Sequence, residues 1–327
     1  MDRRSFLNTL VWLVIAPIAA DAQQPPAKKV PRVGFLHARG PGSSPEEAFR
    51  QGLRDFGYRL GHDVFLEVRY AEGDPARFTD FAAELVRLGV DIIVAPTPQA
   101  VAAARKATTT TPIVFVVVAE PVRTGVVASL SRPGGNITGL SLSPGSEIAG
   151  KRLQLLKELI PRLARVAVLW NPSVPDKVVE WEAMQEPARA LGLQLQSAEV
   201  RTRRDFEAAF ETSSRSGAGA MIALAEPLVF TQRDVILDFT VKHRLPAMYS
   251  WKEFVQAGGL IAYGADIDAN YRRAAFYVDR ILKGTKPADL QVEQPVKFEL
   301  FLNVKTAKAL GLEVPQALLL RADQILE

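Results

Sequence analysis

The sequence predicts an α/β protein built from two Rossmann-like, doubly wound lobes that are joined by a hinge. Short apolar runs alternate with longer amphipathic stretches along the chain, as they do in βαβ units that form a parallel sheet. The cycle also restarts, because residues 33–36 (VGFL) are echoed by residues 166–169 (VAVL) and residues 89–98 by residues 217–227. An offset of about 130 residues is too long for a solenoid repeat and favours two similar lobes.

The individual elements follow from the periodicity of the apolar residues. In the first half we predict strands at residues 33–36, 63–70, 91–95, 112–118 and 137–142, with helices at 46–56, 78–88 and 99–107. In the second half we predict strands at 165–170, 193–200, 218–223, 246–249 and 260–263, with helices at 146–159, 176–191, 205–213 and 232–243. Because a proline inside a helix removes a hydrogen bond, we expect a break at Pro187.

The chain continues beyond what the second repeat requires. A helix at 270–282, a strand at 298–302 and a short helix at 306–310 follow, which predicts that the chain returns to the first lobe and crosses between lobes several times. We therefore assign residues 31–142 and about 266–296 to the N-terminal lobe. Residues 143–265 and about 297–327 form the C-terminal lobe.

The N-terminus has the pattern of a secretory signal peptide over residues 1–22. A basic start at Arg3 and Arg4 precedes a short apolar core and the small-residue sequence 20–22 (ADA). The alternative is an uncleaved anchor, although the apolar run is shorter than the roughly 20 residues that span a bilayer. The sequence RRxFL at residues 3–7 also resembles a twin-arginine export signal. We expect a mature chain that starts near Gln23, does not span the membrane and is periplasmic.

Composition excludes several classes of site. The chain has no cysteine, so it has no disulfide framework, thiolate metal site, cysteine nucleophile or lipoprotein anchor. Its net charge is +4, from 40 Lys and Arg against 36 Asp and Glu. Both signs are mixed along amphipathic helices, which indicates a solvated surface and no nucleic-acid partner.

Candidate binding residues lie directly after the predicted strands. Ligands of open parallel sheets bind beyond the carboxyl ends of the strands, so two such lobes facing each other make a cleft. The loops at these ends carry hydroxyls, carboxylates and aromatic rings. The candidate ligand-binding residues are His37, Ser43, Ser44, Thr97, Pro98, Glu120, Asn171, Ser173, Glu226, Tyr249, Trp251 and Asp266.

These residue types suit a zwitterion with an apolar tail, such as an amino acid. Hydroxyls at helix starts accompany free backbone amides, which favour a carboxylate. The three acids suit an ammonium group, and the two aromatic rings suit an apolar side chain. Each residue also has a structural interpretation, as a helix cap, a turn or part of the core.

Several motifs together are typical of a known family. They are residues 49–58 (FRQGLRDFGY), 70–73 (YAEG), 111–115 (TPIVF), 131–139 (SRPGGNITG), 257–260 (AGGL), 263–264 (YG), 298–300 (FEL) and 306–311 (TAKALG). The chain resembles the ABC transporter substrate-binding protein family that includes receptors of the tryptophan and aromatic-amino-acid type. The resemblance covers essentially the whole mature chain, from about Val33 to the end.

The resemblance implies a type I periplasmic-binding-protein fold with three hinge crossings, no enzymatic activity and no cofactor. It implies a small-molecule ligand, an ABC permease and its ATPase as partners, and we expect a monomer. The chain departs from the family pattern at residues 37–40 (HARG), Glu226 and Trp251. Because these are cleft positions, the ligand is not carried over from the family.

Two other functions are compatible with the same lobes. An extracytoplasmic sensor for a signalling partner would have the same ligand site. A secreted hydrolase would need a catalytic group, but the sequence has no G-x-S-x-G, H-E-x-x-H or Walker A pattern. A triad or metal site would require two of the histidines His37, His62 and His243 to converge. A cytoplasmic regulator would need a DNA-binding helix-turn-helix where the signal peptide stands.

Overall fold

Two separate β-sheets, each covered by helices on both faces, make up the part of the chain that the computed structural model describes: residues 29–142, 145–295 and 297–327. Residues 31–327 form one compact unit. The predicted signal peptide at residues 1–22 lies outside the described residues. Within the described ranges, no helix combines the length and apolar character needed to cross a membrane.

The first sheet is entirely parallel and has the strand order β2-β1-β3-β4-β5. Four of its strands are buried on both faces, which explains their mostly apolar sequences, whereas the edge strand at Phe65–Tyr70 is only partly buried. The strands are β1 (Arg32–His37), β2 (Phe65–Tyr70), β3 (Ile92–Val94), β4 (Ile113–Val118) and β5 (Ile137–Ser141), and the helices between them are α1 (Ser44–Asp55), α2 (Arg77–Arg87) and α3 (Pro98–Ala107).

The second sheet has the order β12-β11-β10-β9-β8-β6-β7, and only the pair β10–β11 is antiparallel among its described pairings. The strands are β6 (Arg165–Trp170), β7 (Gln194–Glu199), β8 (Ala220–Ala223), β9 (Ala247–Tyr249), β10 (Ile261–Ala265), β11 (Phe298–Asn303) and β12 (Gln324–Leu326). The helices of this part of the chain are α4 (Gly145–Leu159), α5 (Pro175–Ala190), α6 (Phe206–Arg215), α7 (Pro227–Thr231), α8 (Arg233–Lys242), α9 (Lys252–Gln256), α10 (Ile267–Leu282), α11 (Val304–Leu310) and α12 (Gln316–Arg321).

The chain passes between the two sheets three times. It leaves β5 for α4, and it returns from β10 into α10, which packs against α1 and β4 of the first sheet. After Glu293 forms a bridge beside Leu140, the chain passes to β11 in the second sheet. The contact of α10 with α1 is close at Gly52, where a Cβ would lie 2.3 Å from the carbonyl oxygen of Arg272.

Four apolar clusters fill the space between sheets and helices, one on each face of each sheet. In the first sheet, Phe35 packs with Phe49 of α1 and Ala274 of α10, and Leu36 packs with Phe78 of α2 on the opposite face. The second sheet repeats this arrangement with α4 and α5 on one face and α6 to α9 on the other. The cores hold both sheets rigid, so that loops at the strand ends are presented from fixed positions.

The predicted α/β fold with two sheets is confirmed, and the predicted strands and long helices are present within a few residues. The break expected at Pro187 is wrong, because α5 continues to Ala190. Pro187 lies in the last turn and packs against α4 at Gly150, where a Cβ would lie 3.3 Å from its ring. The sequence did not predict the short helices α7, α9 and α12 or the strand β12.

Candidate functional site

A cavity lies where the carboxyl ends of the parallel strands in the two sheets face each other. The empty space there is about 570 Å³, a figure that includes gaps between atoms and space open to solvent. Loops of both sheets contribute to its wall. The lining residues are Ala38, Arg39, Thr97, Pro98, Gln99, Val117, Leu142, Val174, Asp176, Lys177, Ala225, Glu226, Pro227, Trp251, Ile267 and Tyr271.

Two helix starts of equivalent position face this cavity from opposite sides. The side chain of Thr97 accepts a hydrogen bond from the backbone N–H of Ala100 at 3.3 Å and caps α3. The carboxylate of Glu226 accepts from the N–H of Val229 at 3.1 Å and caps α7. A proline follows each cap, and its fixed φ starts the helix directly after the strand. Both helices therefore begin at the cavity and run away from it.

The side chain of Gln99 connects the two sides. Its Nε2 donates to Oε1 of Glu226 at 3.2 Å, and Asn171 also donates to this carboxylate. Burial raises the pKa of Glu226, while the N–H groups at the start of α7 act in the opposite direction. Glu226 thus caps α7 and orients Gln99 at the same time.

His37 shapes the loop after β1. Its Nδ1 accepts from the backbone N–H of Arg39 at 2.9 Å, and its Nε2 lies 2.8 Å from Oγ of Ser43. Because Nδ1 is an acceptor, Nε2 carries the proton and donates to Ser43. The ring stacks on Tyr271, with 6.3 Å between centroids, and burial lowers the pKa of His37 to about 4. His37 is therefore neutral near pH 7 and holds the loop that carries Arg39.

Arg39 extends from the first sheet to residues of the second. Its guanidinium carbon lies 3.4 Å from the ring centroid of Phe230 and 5.5 Å from that of Trp251. Its Nη1 donates to Oε1 of Glu253 at 3.1 Å. Cation–π and ionic contacts of this kind join the two walls of the cavity on one side.

A chain of buried charges lies under the opposite wall, at the start of α5. Glu180 accepts at 2.6 Å from Nη1 of Arg152 and at 2.6 Å from Nζ of Lys177. Lys177 lies 3.6 Å from Oδ2 of Asp176, and Arg152 also donates to the carbonyl oxygen of Tyr263 at 2.8 Å. The four side chains of this buried charge chain (Arg152, Glu180, Lys177 and Asp176) are each no more than 5% exposed.

Neighbouring side chains in the buried charge chain have opposite charges, and these neighbours determine how each group ionises. Burial acts to lower the pKa of Lys177, but the carboxylates of Asp176 and Glu180 outweigh it, and the net pKa is raised. Burial acts to raise the pKa of Glu180, but Lys177 and Arg152 outweigh it, and the net pKa is lowered. Asp176 is different, since burial leaves its pKa raised despite Lys177. It is the terminal member of the chain and lines the cavity.

Three buried side-chain atoms have no hydrogen-bond partner within the described residues, and all three belong to residues that line the cavity. They are Oε1 of Gln99, Oδ1 of Asp176 and Nε1 of Trp251. Buried polar atoms in native proteins are nearly always paired. Their concentration at one cavity indicates that a bound molecule completes their hydrogen bonds.

The structure brings some of the predicted site residues together and separates others. Thr97, Pro98, Glu226 and Trp251 line the cavity, and His37 with Ser43 and Asn171 support it. Tyr249 lies in the core, stacked on Phe254 with 4.5 Å between centroids. The remaining predicted residues, Ser44, Glu120, Ser173 and Asp266, are not among the lining residues.

Those four residues have identifiable local contacts. Ser44 donates to Asp268 at 2.9 Å, and Asp266 caps α10 by accepting from the N–H of Ala269 at 3.0 Å. Glu120 has a φ of 49° in the turn after β4. The N–H of Ser173 donates to Asn171 at 3.0 Å.

The sequence prediction missed Arg39, Gln99, Asp176, Lys177 and Tyr271 as lining residues. Arg39 and Gln99 stand in loops that were correctly placed at strand ends. Asp176 and Lys177 were assigned to a helix, where acids of the first turn are usually solvated. A signal was present, because Pro175 marks a helix start just beyond β6, as Pro98 does beyond β3.

The described residues show no arrangement for acyl transfer at the histidines. In the pair of Ser43 and His37 the imidazole donates to the hydroxyl, whereas a general base must accept its proton. His62 contacts Asp63 at the surface and His243 packs on Phe239, so the histidines do not converge. No group of three or more His, Asp or Glu side chains in the described ranges is placed to hold a metal ion.

Known proteins share this architecture. A conserved domain protein from Vibrio cholerae is 27% identical, with a TM-score of 0.84 over 91% of this chain and 100% of that chain. A domain from Streptococcus pneumoniae in complex with L-Trp is 23% identical, with a TM-score of 0.84 over 90% of this chain and 99% of that chain. A tyrosine-binding protein from Clostridioides difficile is 24% identical over 268 residues, which are 82% of this chain and 76% of that protein.

A family profile matches nearly the whole described chain. It spans residues 44–326 and is described as ABC transporter substrate binding protein. The match includes every strand except β1, all three passages between the sheets and most of the cavity lining. This chain belongs to the ABC transporter substrate-binding protein family and has the type I periplasmic-binding-protein fold.

Proposed function

We propose that the protein is an extracytoplasmic receptor that binds an amino acid with an aromatic or branched side chain and delivers it to an ABC permease and its ATPase. The observation that carries this proposal is the cavity between the two sheets, at which the unpartnered buried polar atoms concentrate. The family membership supports the transport role. The tyrosine-binding relative and the relative in complex with L-Trp support the ligand class.

The lining of the cavity suits such a ligand. Tyr271, Val117 and Ile267 provide apolar wall, and Trp251 provides an indole ring. Charged and polar groups lie at Asp176 and Lys177 on one side of the cleft and at Gln99 on the other. A zwitterionic head group and an apolar side chain can therefore be accommodated in one site.

We further propose that the two sheets with their helices are lobes that open and close on the three passages as a hinge. The first lobe comprises residues 31–142 and about 266–296, and the second comprises residues 143–265 and about 297–327. Several side-chain pairs connect the lobes across the cleft. They are Arg39 with Glu253 at 3.1 Å, Gln99 with Glu226 at 3.2 Å, Lys252 with Asp268 at 3.3 Å and Arg123 with Glu182 at 2.9 Å. These pairs belong to a closed arrangement, and opening separates them.

Thermal unfolding of residues 23–327 against a ligand panel tests the proposal. The panel contains the amino acids, with sugars, nucleobases and organic acids as controls. A ligand at a hundred times its Kd adds about 2.7 kcal/mol, which raises the midpoint by about 4 °C in a chain of this size. We expect a shift confined to aromatic or branched amino acids, with compaction in small-angle scattering. A shift confined to a control class would contradict the ligand assignment, and an unchanged scattering profile at saturation would contradict hinge closure.

A further inference from the structure

The two unpartnered acceptors of the cavity come from opposite sides of the cleft. Oε1 of Gln99 belongs to α3, which follows the first sheet, and Oδ1 of Asp176 belongs to α5 beside the second sheet. Both residues line the same cavity. A single ligand group that satisfies both acceptors must therefore contact both lobes at once.

Oδ1 of Asp176 is buried without a hydrogen-bond donor, which is energetically unfavourable. Asp176 is 2% exposed, its Oδ2 faces Lys177 at 3.6 Å, and the backbone N–H of Ala119 also stabilises the carboxylate. Lys177 in turn donates to Glu180 at 2.6 Å, so these two side chains are already paired with each other. A buried carboxylate oxygen without a donor is strongly unfavourable. A donor on the cavity side removes that cost.

The orientation of Gln99 follows from its neighbour. Glu226 accepts from Val229 through one oxygen and faces Gln99 with the other. The amide must present its Nε2 to this carboxylate, because its own oxygen would be repelled. Oε1 of Gln99 is therefore directed away from Glu226 and remains an acceptor.

The required ligand group donates at least two hydrogen bonds and carries positive charge. A hydroxyl has one proton and satisfies one of the two acceptors, whereas a primary ammonium has three protons. The buried charges favour a cation as well. A cation bound there would lie next to the carboxyl group of Asp176, which is 2% exposed.

On these grounds we propose that a primary ammonium group of the ligand binds between Oδ1 of Asp176 and Oε1 of Gln99. This inference rests on the proposed receptor function. It adds the orientation of the ligand, with the ammonium end between Asp176 and Gln99. Because the ammonium has one partner in each lobe, it is the group that couples binding to closure. Ligand molecules without it bind one lobe and leave the cleft open.

Calorimetric titration with matched triples of compounds tests the assignment. Each triple contains an amino acid, the acid that lacks its ammonium and the amine that lacks its carboxylate. The probes are L-tyrosine, L-tryptophan and L-phenylalanine; 3-(4-hydroxyphenyl)propionate, indole-3-propionate and 3-phenylpropionate; and tyramine, tryptamine and phenethylamine. The proteins are residues 23–327, its Asp176→Asn and Gln99→Met variants, and the exposed controls Asp234→Asn and Gln316→Met.

We expect Asp176→Asn to weaken binding of the amino acid and of the amine by at least about 30-fold, and Gln99→Met by about 10-fold. Neither variant should change the affinity for the deaminated acid, and the controls should change nothing. Uniform weakening of all three compounds would show a general structural effect and overturn the assignment, as would unchanged binding of the amino acid. Gln99→Met gives an independent answer if Asp176→Asn does not fold.

These titrations and the thermal-unfolding panel together separate failure of this inference from failure of the receptor function. Tight binding of an amino acid that is insensitive to both substitutions leaves the receptor function intact and removes the ammonium site. Binding of only sugars, nucleobases or organic acids also removes it. Absence of binding by every class overturns the receptor function together with the inference.

Discussion

The guanidinium carbon of Arg39 lies 3.4 Å from the ring centroid of Phe230, on the other side of the cleft. The same group donates to Glu253 at 3.1 Å, and the two side chains are 16% and 18% exposed. Partly desolvated cation–π contacts contribute about 1–2 kcal/mol. In the hinge closure proposed above, these contacts form only when the lobes are together, and Arg39 would then stabilise the closed state relative to the open state.

Replacement of Arg39 by methionine should therefore shift the protein towards the open state. We expect ligand affinity to fall by about 5- to 30-fold and the radius of gyration without ligand to increase, as measured by calorimetry and small-angle scattering. Arg123→Met is a matched control, because its pair with Glu182 also crosses the cleft but is 53% and 57% exposed. Exposed pairs contribute little, so an equal effect of both substitutions would argue against a special role of Arg39.

The approach of Gly73 to Thr231 gives a second prediction about closure. Gly73 has a φ of 83°, and a Cβ there would lie 2.6 Å from Cγ2 of Thr231 on α7. Gly73→Ala should lower stability by about 1 kcal/mol because of its backbone conformation and should also weaken ligand binding because of the collision. Gly57→Ala is the control, since it has a similar φ of 85° with nothing within 4 Å. Denaturant titration and calorimetry should show equal loss of stability but weaker binding for Gly73→Ala alone; equal binding would contradict the collision.

Burial of His37 makes stability depend on pH. Its folded pKa of about 4 is below the ordinary value of 6.5, so the unfolded chain binds a proton that the folded protein excludes between these values. The stability that this group contributes is fully present above pH 6.5 and is lost as the pH falls towards 4, by on the order of 3 kcal/mol. Urea titrations between pH 7 and pH 4 should show this loss, and His37→Gln should reduce it.

The exposed His62 supplies the control for that experiment. Its side chain is 68% exposed, so His62→Gln removes a histidine from the surface and leaves the buried loop after β1 unchanged. An equal pH dependence in the His37→Gln variant would show that other groups are responsible.

The buried charge chain should be sensitive to loss of its central member. Glu180→Gln leaves Arg152 and Lys177 without their shared carboxylate at 5% exposure. Breaking a buried ion pair by removing one partner costs about 3–5 kcal/mol, which should appear as a lower urea midpoint with an unchanged slope. Glu211→Gln is the control, because Glu211 and Arg215 are 62% and 75% exposed. A loss below about 1 kcal/mol for Glu180→Gln would contradict the view that this carboxylate neutralises the chain.

Periodicity was sufficient to predict the layers of the fold, because strands buried on both faces are continuous apolar runs. The run at β4, IVFVVV, is an example. Short elements were missed, since α7 and α9 have five residues each and provide little periodicity. The break at Pro187 was wrong because a local propensity was overridden by packing on Gly150.

The site was partly predictable for a similar reason. The rule for strand ends selected Thr97 and Glu226, which follow equivalent strands in the two sheets, and both line the cavity. It also selected Tyr249, whose ring lies in the core. The role of Asp176 depends on the burial of α5 by the rest of the fold, which no local pattern shows.

The position of α10 has a consequence for the order in which the protein assembles. Tyr271, Ala274 and Val278 cover the same apolar face as Phe35 and Phe49, yet they are made more than two hundred residues later in the sequence. The first 142 residues therefore cannot complete their core while the ribosome is still producing the second sheet. A fragment that ends there exposes an uncovered apolar face. Cleavage of the polypeptide at one position therefore cannot separate the first sheet together with all of its covering helices. The layers around this sheet can be completed only after α10 has been synthesised, when nearly the whole polypeptide has been made.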